Sequence, residues 1–132
     1  MIGLDTNVIV RFLVQDEPVQ SALASSLITS RTAKDPGYIS TVVLVEVFWV
    51  LKRAYKLPDQ DVTAALLALV SSDEIVVEGR DAVRAALREG TNGYDFADAL
   101  AALDGTRHGC DYTATFDRKA SSLAGMRLLA EN

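Results

Sequence analysis

The chain has 132 residues, of which 49% are hydrophobic and 23% charged, and its net charge is −5. These values are typical of one globular domain, which we assign to residues 1–132. One cysteine excludes an internal disulfide, and one histidine excludes a Cys/His zinc cage. The acidic charge argues against nucleic-acid binding, unless bound cations offset part of it.

No part of the sequence predicts a membrane segment. Residues 36–51 carry no charge apart from Glu46, and the apolar run around Glu46 is too short to span a bilayer. Asp5 interrupts the N-terminus before the apolar core of a signal peptide can form. We therefore expect a cytoplasmic protein.

Strands alternate with helices along the whole chain. Thr6 and Asn7 favour the start of a first helix, and Pro18 suits the first turn of the next one. The composition of residues 41–54 suits a strand, but their length and lack of breakers favour a helix. In chain order we predict a strand at 1–5, helices at 8–14 and 17–32, a strand at 38–40, helices at 41–54 and 59–70, a strand at 74–78, helices at 81–88 and 95–107, a strand at 112–116, a helical turn at 119–123 and a strand at 126–130.

This alternation predicts an α/β fold with a mainly parallel sheet that is covered on both faces. Sites in such sheets form beyond the carboxyl ends of the strands. Asp5 and Asp117 follow predicted strands, and Asp98 lies in the first turn of a predicted helix. Glu46 lies further along the helix after the second strand. We expect all four acids to reach one edge of the sheet.

The four acids share apolar surroundings in the sequence. Glu46 stands alone within residues 42–51, so we expect it to be buried and to need a partner. The other three acids also have structural alternatives. Asp5 suits a helix cap, Asp117 suits a turn or cap, and Asp98 stands three residues after Asp95, as in an N-cap pair. Glu46 has no such alternative, and it favours a functional cluster.

Carboxylates without histidine or cysteine form a hard oxygen site suited to Mg²⁺ or Mn²⁺. One or two such ions would activate water for attack on a phosphodiester and stabilise the leaving oxygen. This chemistry needs no histidine base and no nucleophilic serine.

The ordered set of motifs resembles the PIN-domain ribonucleases, and the small form resembles the VapC toxins of type II toxin–antitoxin systems. The motifs are Asp5-Thr6-Asn7 after an apolar strand, Glu46 in an apolar helix, and residues 94–100 and 115–118. The resemblance implies a three-layer α/β/α domain with a central, mainly parallel five-stranded sheet. It also implies Mg²⁺- or Mn²⁺-dependent RNA cleavage that uses the carboxylates of Asp5, Glu46, Asp98 and Asp117.

Further residues are candidates for supporting roles. Asp95 matches an acidic position of the family that lies behind the metal ligands or caps a helix. Thr6 and Thr115 match hydroxyl positions beside the site, and Asn7 belongs to the first motif. Basic residues that could contact RNA are Arg11, Lys52, Arg53, Lys56, Arg118 and Lys119, and we select Arg11, Arg118 and Lys119, which follow Asp5 or Asp117.

Two partners are expected besides RNA. The apolar residues around Glu46, together with Leu13, Val14 and the helix at 59–70, exceed what one sheet face needs, which predicts a homodimer. The resemblance adds a cognate VapB-like antitoxin that would aim a lysine or arginine at the acids.

Two other functions compete with the nuclease. An aspartate-based phosphatase or receiver-like domain also places an acid after a strand, but a phosphatase of the haloacid-dehalogenase type needs a second aspartate where Asn7 stands, and neither domain uses Glu46. A catalytically silent PIN-fold binding module would not need all four acids.

Overall fold

The computed structural model describes residues 1–130. The chain divides into two compact units, Met1–Arg80 and residues 81 onward. Each unit combines helices with a parallel sheet, so the α/β class predicted from the sequence is confirmed. Within the described residues, no helix has the length and apolar character that crossing a bilayer requires.

The first unit contains a three-stranded parallel sheet in the order β1-β2-β3. Ile2 pairs with Gly37 across β1 and β2, and Tyr38 pairs with Val76 across β2 and β3. Two helices connect each strand to the next. They supply the long crossover connection that parallel pairing requires. The elements are β1 (Ile2–Gly3), α1 (Thr6–Val14), α2 (Pro18–Thr29), β2 (Gly37–Ile39), α3 (Thr41–Arg53), α4 (Asp59–Val70) and β3 (Ile75–Val77).

Aliphatic side chains from the helices and from β2 and β3 form the core of this unit. Those almost fully shielded from solvent are Ile9, Ile39, Leu44, Val47, Leu51, Val62, Leu66, Val70 and Ile75. Gly37 is needed in β2, because a Cβ there would lie 2.9 Å from Leu4 Cδ1 and 3.1 Å from Ile75 Cδ1. This close packing buries Leu4, which immediately precedes Asp5.

The second unit contains a two-stranded parallel sheet. Its elements are α5 (Arg80–Glu89, starting at the boundary), a 3₁₀ turn (Gly90–Asn92), α6 (Phe96–Arg107), β4 (Thr113–Thr115), a second 3₁₀ turn (Ala120–Ser122) and β5 (Met126–Leu128). Thr113 pairs with Met126 and Thr115 with Leu128. Its buried side chains include Val83, Ala86, Leu87, Phe96, Ala99 and Ala102.

All predicted helices and strands are present in the predicted order, with ends that differ by a few residues. The ambiguous segment is a helix, because Leu44, Val47, Phe48 and Leu51 give it a buried face at helical spacing. The five strands pair as three and two among the described residues, and not as one five-stranded sheet. The predicted first strand contracts to Ile2–Gly3, which pairs only with β2.

Candidate active site

Asp5 ends the segment after β1 and takes the N-cap position of α1. Its backbone is extended and its carbonyl accepts the first helical hydrogen bond, from the Ile9 N–H at 3.2 Å. Its side chain makes no capping hydrogen bond and is exposed. The capping alternative therefore fails for the Asp5 carboxylate. Both of its oxygens are open to a ligand, beside the buried Thr6 and the exposed Asn7.

Glu46 is exposed, which corrects the expectation that it is buried and needs a partner. The apolar run around it is a helix, so its residues point in all directions from the helix axis. Leu44 and Val47 face the core, while Glu46 shares the outer stripe with Val42, which is 76% exposed. One turn further along this stripe, the Arg53 guanidinium stacks 4.2 Å above the ring of Trp49. Glu46 therefore stands on a solvated face among apolar side chains.

In the second unit, Asp95 is the N-cap of α6. One of its carboxylate oxygens accepts hydrogen bonds from the N–H groups of Ala97 at 2.8 Å and Asp98 at 3.2 Å. Two roles were expected for Asp95, a position behind the metal ligands or a helix cap, and in the structure it caps α6. The cap also fixes the backbone of Asp98, since the Asp98 N–H is one of the two donors.

Asp98 lies close to two other carboxylates. It is half-buried, and its pKa is raised above the usual aspartate value, first by burial and then by the negative charges of Asp95 and Asp117. Like charges raise the pKa of a carboxylate only when they are near it. The second unit therefore brings Asp95, Asp98 and Asp117 together.

Asp117 is held by hydrogen bonds on both its backbone and its side chain. Its N–H donates to the Thr115 hydroxyl at 3.0 Å, and its Oδ1 accepts from the Ala120 N–H at 2.9 Å. Asp117 thus caps the turn that follows it, as its structural alternative predicted. Within residues 1–130, Oδ2 makes no hydrogen bond. Thr115 orients Asp117 and is a supporting residue in this sense.

The three basic candidates differ in whether their side chains are already bonded to other residues. Nη1 of Arg11 donates to the Tyr55 hydroxyl at 2.8 Å and to Asp16 at 3.3 Å, and its Nε donates to Gln20 at 2.8 Å. Arg118 and Lys119 are exposed and form no ion pair with any residue that the structure describes. Arg11 is therefore committed to its own unit, whereas the other two cations are available.

Tyr94 was not among the residues selected from the sequence, yet it helps to place the acids of the second unit. Its hydroxyl donates to the Ser122 hydroxyl at 3.0 Å. Tyr94 directly precedes the Asp95 cap, and Ser122 closes the turn that Asp117 caps. Only the position of Tyr94 next to a motif acid could have indicated this role.

The carboxylates fit a divalent cation in chemistry, since they offer oxygen ligands, and those of Asp98 and Asp117 are near enough for their charges to interact. Within either unit of the described chain, no three acidic, histidine or cysteine side chains form a group arranged to hold a metal ion. Among the four candidate ligands, the second unit contributes Asp98 and the free oxygen of Asp117. Asp5 and Glu46 are the exposed donors of the first unit.

Comparison with known proteins gives the family. A family model described as the PIN domain matches residues 2–126. Among solved structures, the chain is similar to VapC20 of Mycobacterium tuberculosis, which is described as a toxin that cleaves the sarcin–ricin loop. The two chains share 21% sequence identity, the match covers 96% of this chain and 99% of VapC20, and the TM-score is 0.47. No curated protein matches. The family model spans nearly the whole chain, and the chain therefore belongs to the PIN-domain family.

Proposed function

We propose that the chain is a metal-dependent endoribonuclease and the toxin of a toxin–antitoxin pair. The proposal assigns the metal-binding and catalytic role to Asp5, Glu46, Asp98 and Asp117. Membership of the PIN-domain family over residues 2–126 supports a nuclease. The resemblance of the motifs to VapC toxins is what supports the toxin role.

One observation carries this proposal more than any other: the crowding of Asp98 by Asp95 and Asp117. The repulsion among these three negative charges opposes folding, although the backbone hydrogen bonds that Asp95 and Asp117 accept offset part of it. A divalent cation reverses the sign of that interaction. A cluster that is unfavourable without a cation and favourable with one is typical of a metal-binding site.

The residues have different roles in the proposed site. In the proposal, Asp98 and Asp117 would contribute oxygens to a Mg²⁺ or Mn²⁺ ion, and Asp5 and Glu46 would contribute further carboxylates. Asp95 holds the backbone of Asp98, and Thr115 holds that of Asp117. When bound, one or two such ions would supply Lewis acidity for hydrolysis of a phosphodiester. Arg118 and Lys119 attract the RNA backbone, and Arg11 contributes only if its bonds to Tyr55 and Asp16 open.

Cleavage by the purified chain tests the enzyme. RNA should be cut in Mg²⁺ or Mn²⁺ and left intact in excess chelator. Cleavage that persists in chelator would overturn the metal mechanism. In cells, mapping of RNA ends after induction should give new ends that are missing from an Asp5→Asn control. No new ends in either sample would overturn the toxin role.

The first unit offers a surface for the proposed antitoxin. A groove of about 460 Å³ lies between α1, α2, α4 and β3 and is lined mostly by apolar side chains, among them Leu13, Ala65 and Leu69. This groove includes residues that predicted a partner from the sequence. An apolar antitoxin helix would bury them, and a lysine or arginine of the antitoxin would compete with metal for the acids.

A homodimer is proposed as well, through the outer stripe of α3 at Val42 and Trp49.

Co-expression of the reading frame beside this gene tests the antitoxin, since growth that the toxin suppresses should return. Light scattering tests the dimer. Failure of the neighbouring protein to bind, or a monomeric mass, would remove the corresponding partner without affecting the nuclease.

A further inference from the structure

The outward side of the β4–β5 sheet carries side chains that the acid site does not use. Thr113 and Thr115 are half-buried, while Ala114 between them is exposed. In β5, Arg127 is exposed between two half-buried neighbours. Ala114 and Arg127 are paired in register, so they stand side by side on the same outward face.

Two aromatic residues flank this exposed pair. Tyr112 is 40% exposed, and the Arg127 guanidinium lies 4.0 Å from the centroid of its ring. Phe116 is 74% exposed and immediately precedes Asp117. Leu129, at the end of β5, is 44% exposed. We call the surface formed by Tyr112, Ala114, Phe116, Arg127 and Leu129 the aromatic face.

A phenyl ring that is three-quarters exposed gains little from burial within its own chain. Single exposed apolar residues are ordinary. Here Tyr112 and Phe116 each stand two residues along the chain from the exposed Ala114, one before it and one after it, and both are exposed. Aromatic rings and guanidinium planes on a sheet, with a small residue between them, leave flat surfaces that a planar ligand can cover.

One cation on the aromatic face, Arg127, and two that follow Phe116 in sequence, Arg118 and Lys119, indicate the charge of its ligand. Arg127, Arg118 and Lys119 form no ion pairs with residues of the described chain. Asp111 and Asp117 are the acids beside them in sequence. Unpaired cations next to stacking rings match a ligand that alternates planar bases with phosphates. Arg127 also disfavours a second copy of this face, since pairing two copies would bring like charges together.

We propose that the aromatic face binds the bases of single-stranded RNA, with one base stacked on Phe116 and another on the Tyr112–Arg127 pair. The inference rests on the proposed function for the identity of the nucleic acid. A base on Phe116 would hold its own backbone next to Asp117, because the two residues are adjacent. The face would thus select single-stranded RNA and present it to the acids.

Fluorescence quenching tests the proposal without cleavage. The probe is a short single-stranded RNA with 2-aminopurine, a fluorescent base whose emission falls on stacking, added to metal-free protein. Wild type should quench it, and Phe116→Leu should weaken binding about tenfold, within the range measured for loss of one stacked base. Phe116→Trp should restore binding. Leu23→Ala removes an exposed apolar residue of the first unit and should change nothing.

Each other outcome has a definite meaning. Wild type that binds the probe without quenching overturns the proposal. Unchanged RNA affinity with an altered mass of Phe116→Leu in light scattering would make the face a protein interface instead. If Phe116→Leu lowers the melting temperature, the RNA affinities of Phe116→Trp and Arg127→Gln test the proposal in its place. The tryptophan variant must then bind like wild type and the glutamine variant several-fold more weakly, and any other pair of results overturns the proposal.

The test separates this inference from the nuclease. Protein that quenches the probe but never cuts RNA in Mg²⁺ or Mn²⁺ would keep the aromatic face and remove the proposed function. Protein that cuts RNA while Phe116→Leu binds it as tightly as wild type would keep the nuclease and remove the face.

Discussion

The two units hold their candidate site acids differently. In the first unit, Asp5 and Glu46 are exposed, and neither side chain is bonded to its own helix terminus. In the second unit, Asp95 and Asp117 accept backbone hydrogen bonds, and their charges act on the half-buried Asp98. Within residues 1–130, no hydrogen bond holds the carboxylate of Asp5 or of Glu46. The second unit builds carboxylates into the fold.

This difference shows why the structural and functional roles of an acid need not exclude each other. Asp117 caps a turn with one oxygen, and its other oxygen makes no hydrogen bond within residues 1–130. The hydrogen bonds that Asp95 and Asp117 accept from backbone N–H groups also offset part of the repulsion around Asp98. Capping is thus one way for a small fold to tolerate a crowded anionic cluster.

The largest expected effect is on cleavage. Asp98→Asn and Asp117→Asn should each lower activity more than about a hundredfold, because the amide keeps the volume but loses the charge that holds the cation. The double variant should be little worse than either single one, since the two residues act as one group. Initial rates on one RNA, measured with all three variants and wild type, check this.

Matched controls and the first-unit acids sharpen the comparison. Asp104→Asn and Asp61→Asn change exposed acids on α6 and α4 and should leave the rate unchanged. Asp5→Asn and Glu46→Gln should abolish cleavage as the second-unit variants do. Glu46 is the most informative, because its exposure removes the argument from burial that first selected it. Near-normal activity of Glu46→Gln would restrict the site to the other three acids.

The next largest effect is stabilisation by metal. Mg²⁺ or Mn²⁺ at a hundred times its dissociation constant should stabilise the folded chain by about 2.7 kcal/mol. Melting temperatures across a metal titration at constant ionic strength measure this. Asp98→Asn should lose most of the response, and Asp61→Asn should keep it. A melting temperature that never changes in wild type would count against a preformed acidic cluster.

The order and type of the elements were predictable because the cues are local. Asp59–Val70, for example, has its apolar residues at helical spacing and starts after a proline, and its ends were predicted without error. The exposure of Glu46 was not predictable in the same way. The apolar residues beside it in sequence indicated burial, but a helix surface is shared by residues three or four apart. The crowding of Asp98 by Asp117 depends on tertiary structure, and no spacing along the chain specifies it.

A smaller effect distinguishes the two N-cap aspartates. Asp95→Ala should cost about 1 kcal/mol of stability in metal-free protein, because it removes an acceptor for two N–H groups of α6. Asp5→Ala should cost only a few tenths of this, since its side chain makes no capping bond. Urea unfolding of both variants checks the difference. Equal losses would mean that Asp5 caps α1 in solution.

The smallest expected effect is a pH dependence that Asp98 imposes on the metal-free protein. Its pKa is raised in the folded chain, first by burial and then by Asp95 and Asp117, so the folded state binds its proton more tightly than the unfolded state. The stability that this proton contributes is fully present below the ordinary pKa of an aspartate in an unfolded chain. It is lost as pH rises through the higher pKa of the folded state. Asp98→Asn has no such proton to lose.

Wild type should therefore lose stability relative to Asp98→Asn across this window and stay at a constant deficit above it. The negative charge of Asp98 near the start of α6 is favourable by itself, but the raised pKa shows that burial and repulsion outweigh that benefit. Urea unfolding of both proteins at a series of pH values, without metal, measures the difference directly. Saturating Mg²⁺ or Mn²⁺ should reverse the sign of the deficit, because the bound cation then favours the ionised carboxylate. A wild-type protein that gains stability over Asp98→Asn as pH rises without metal would show that the second unit does not crowd its acids.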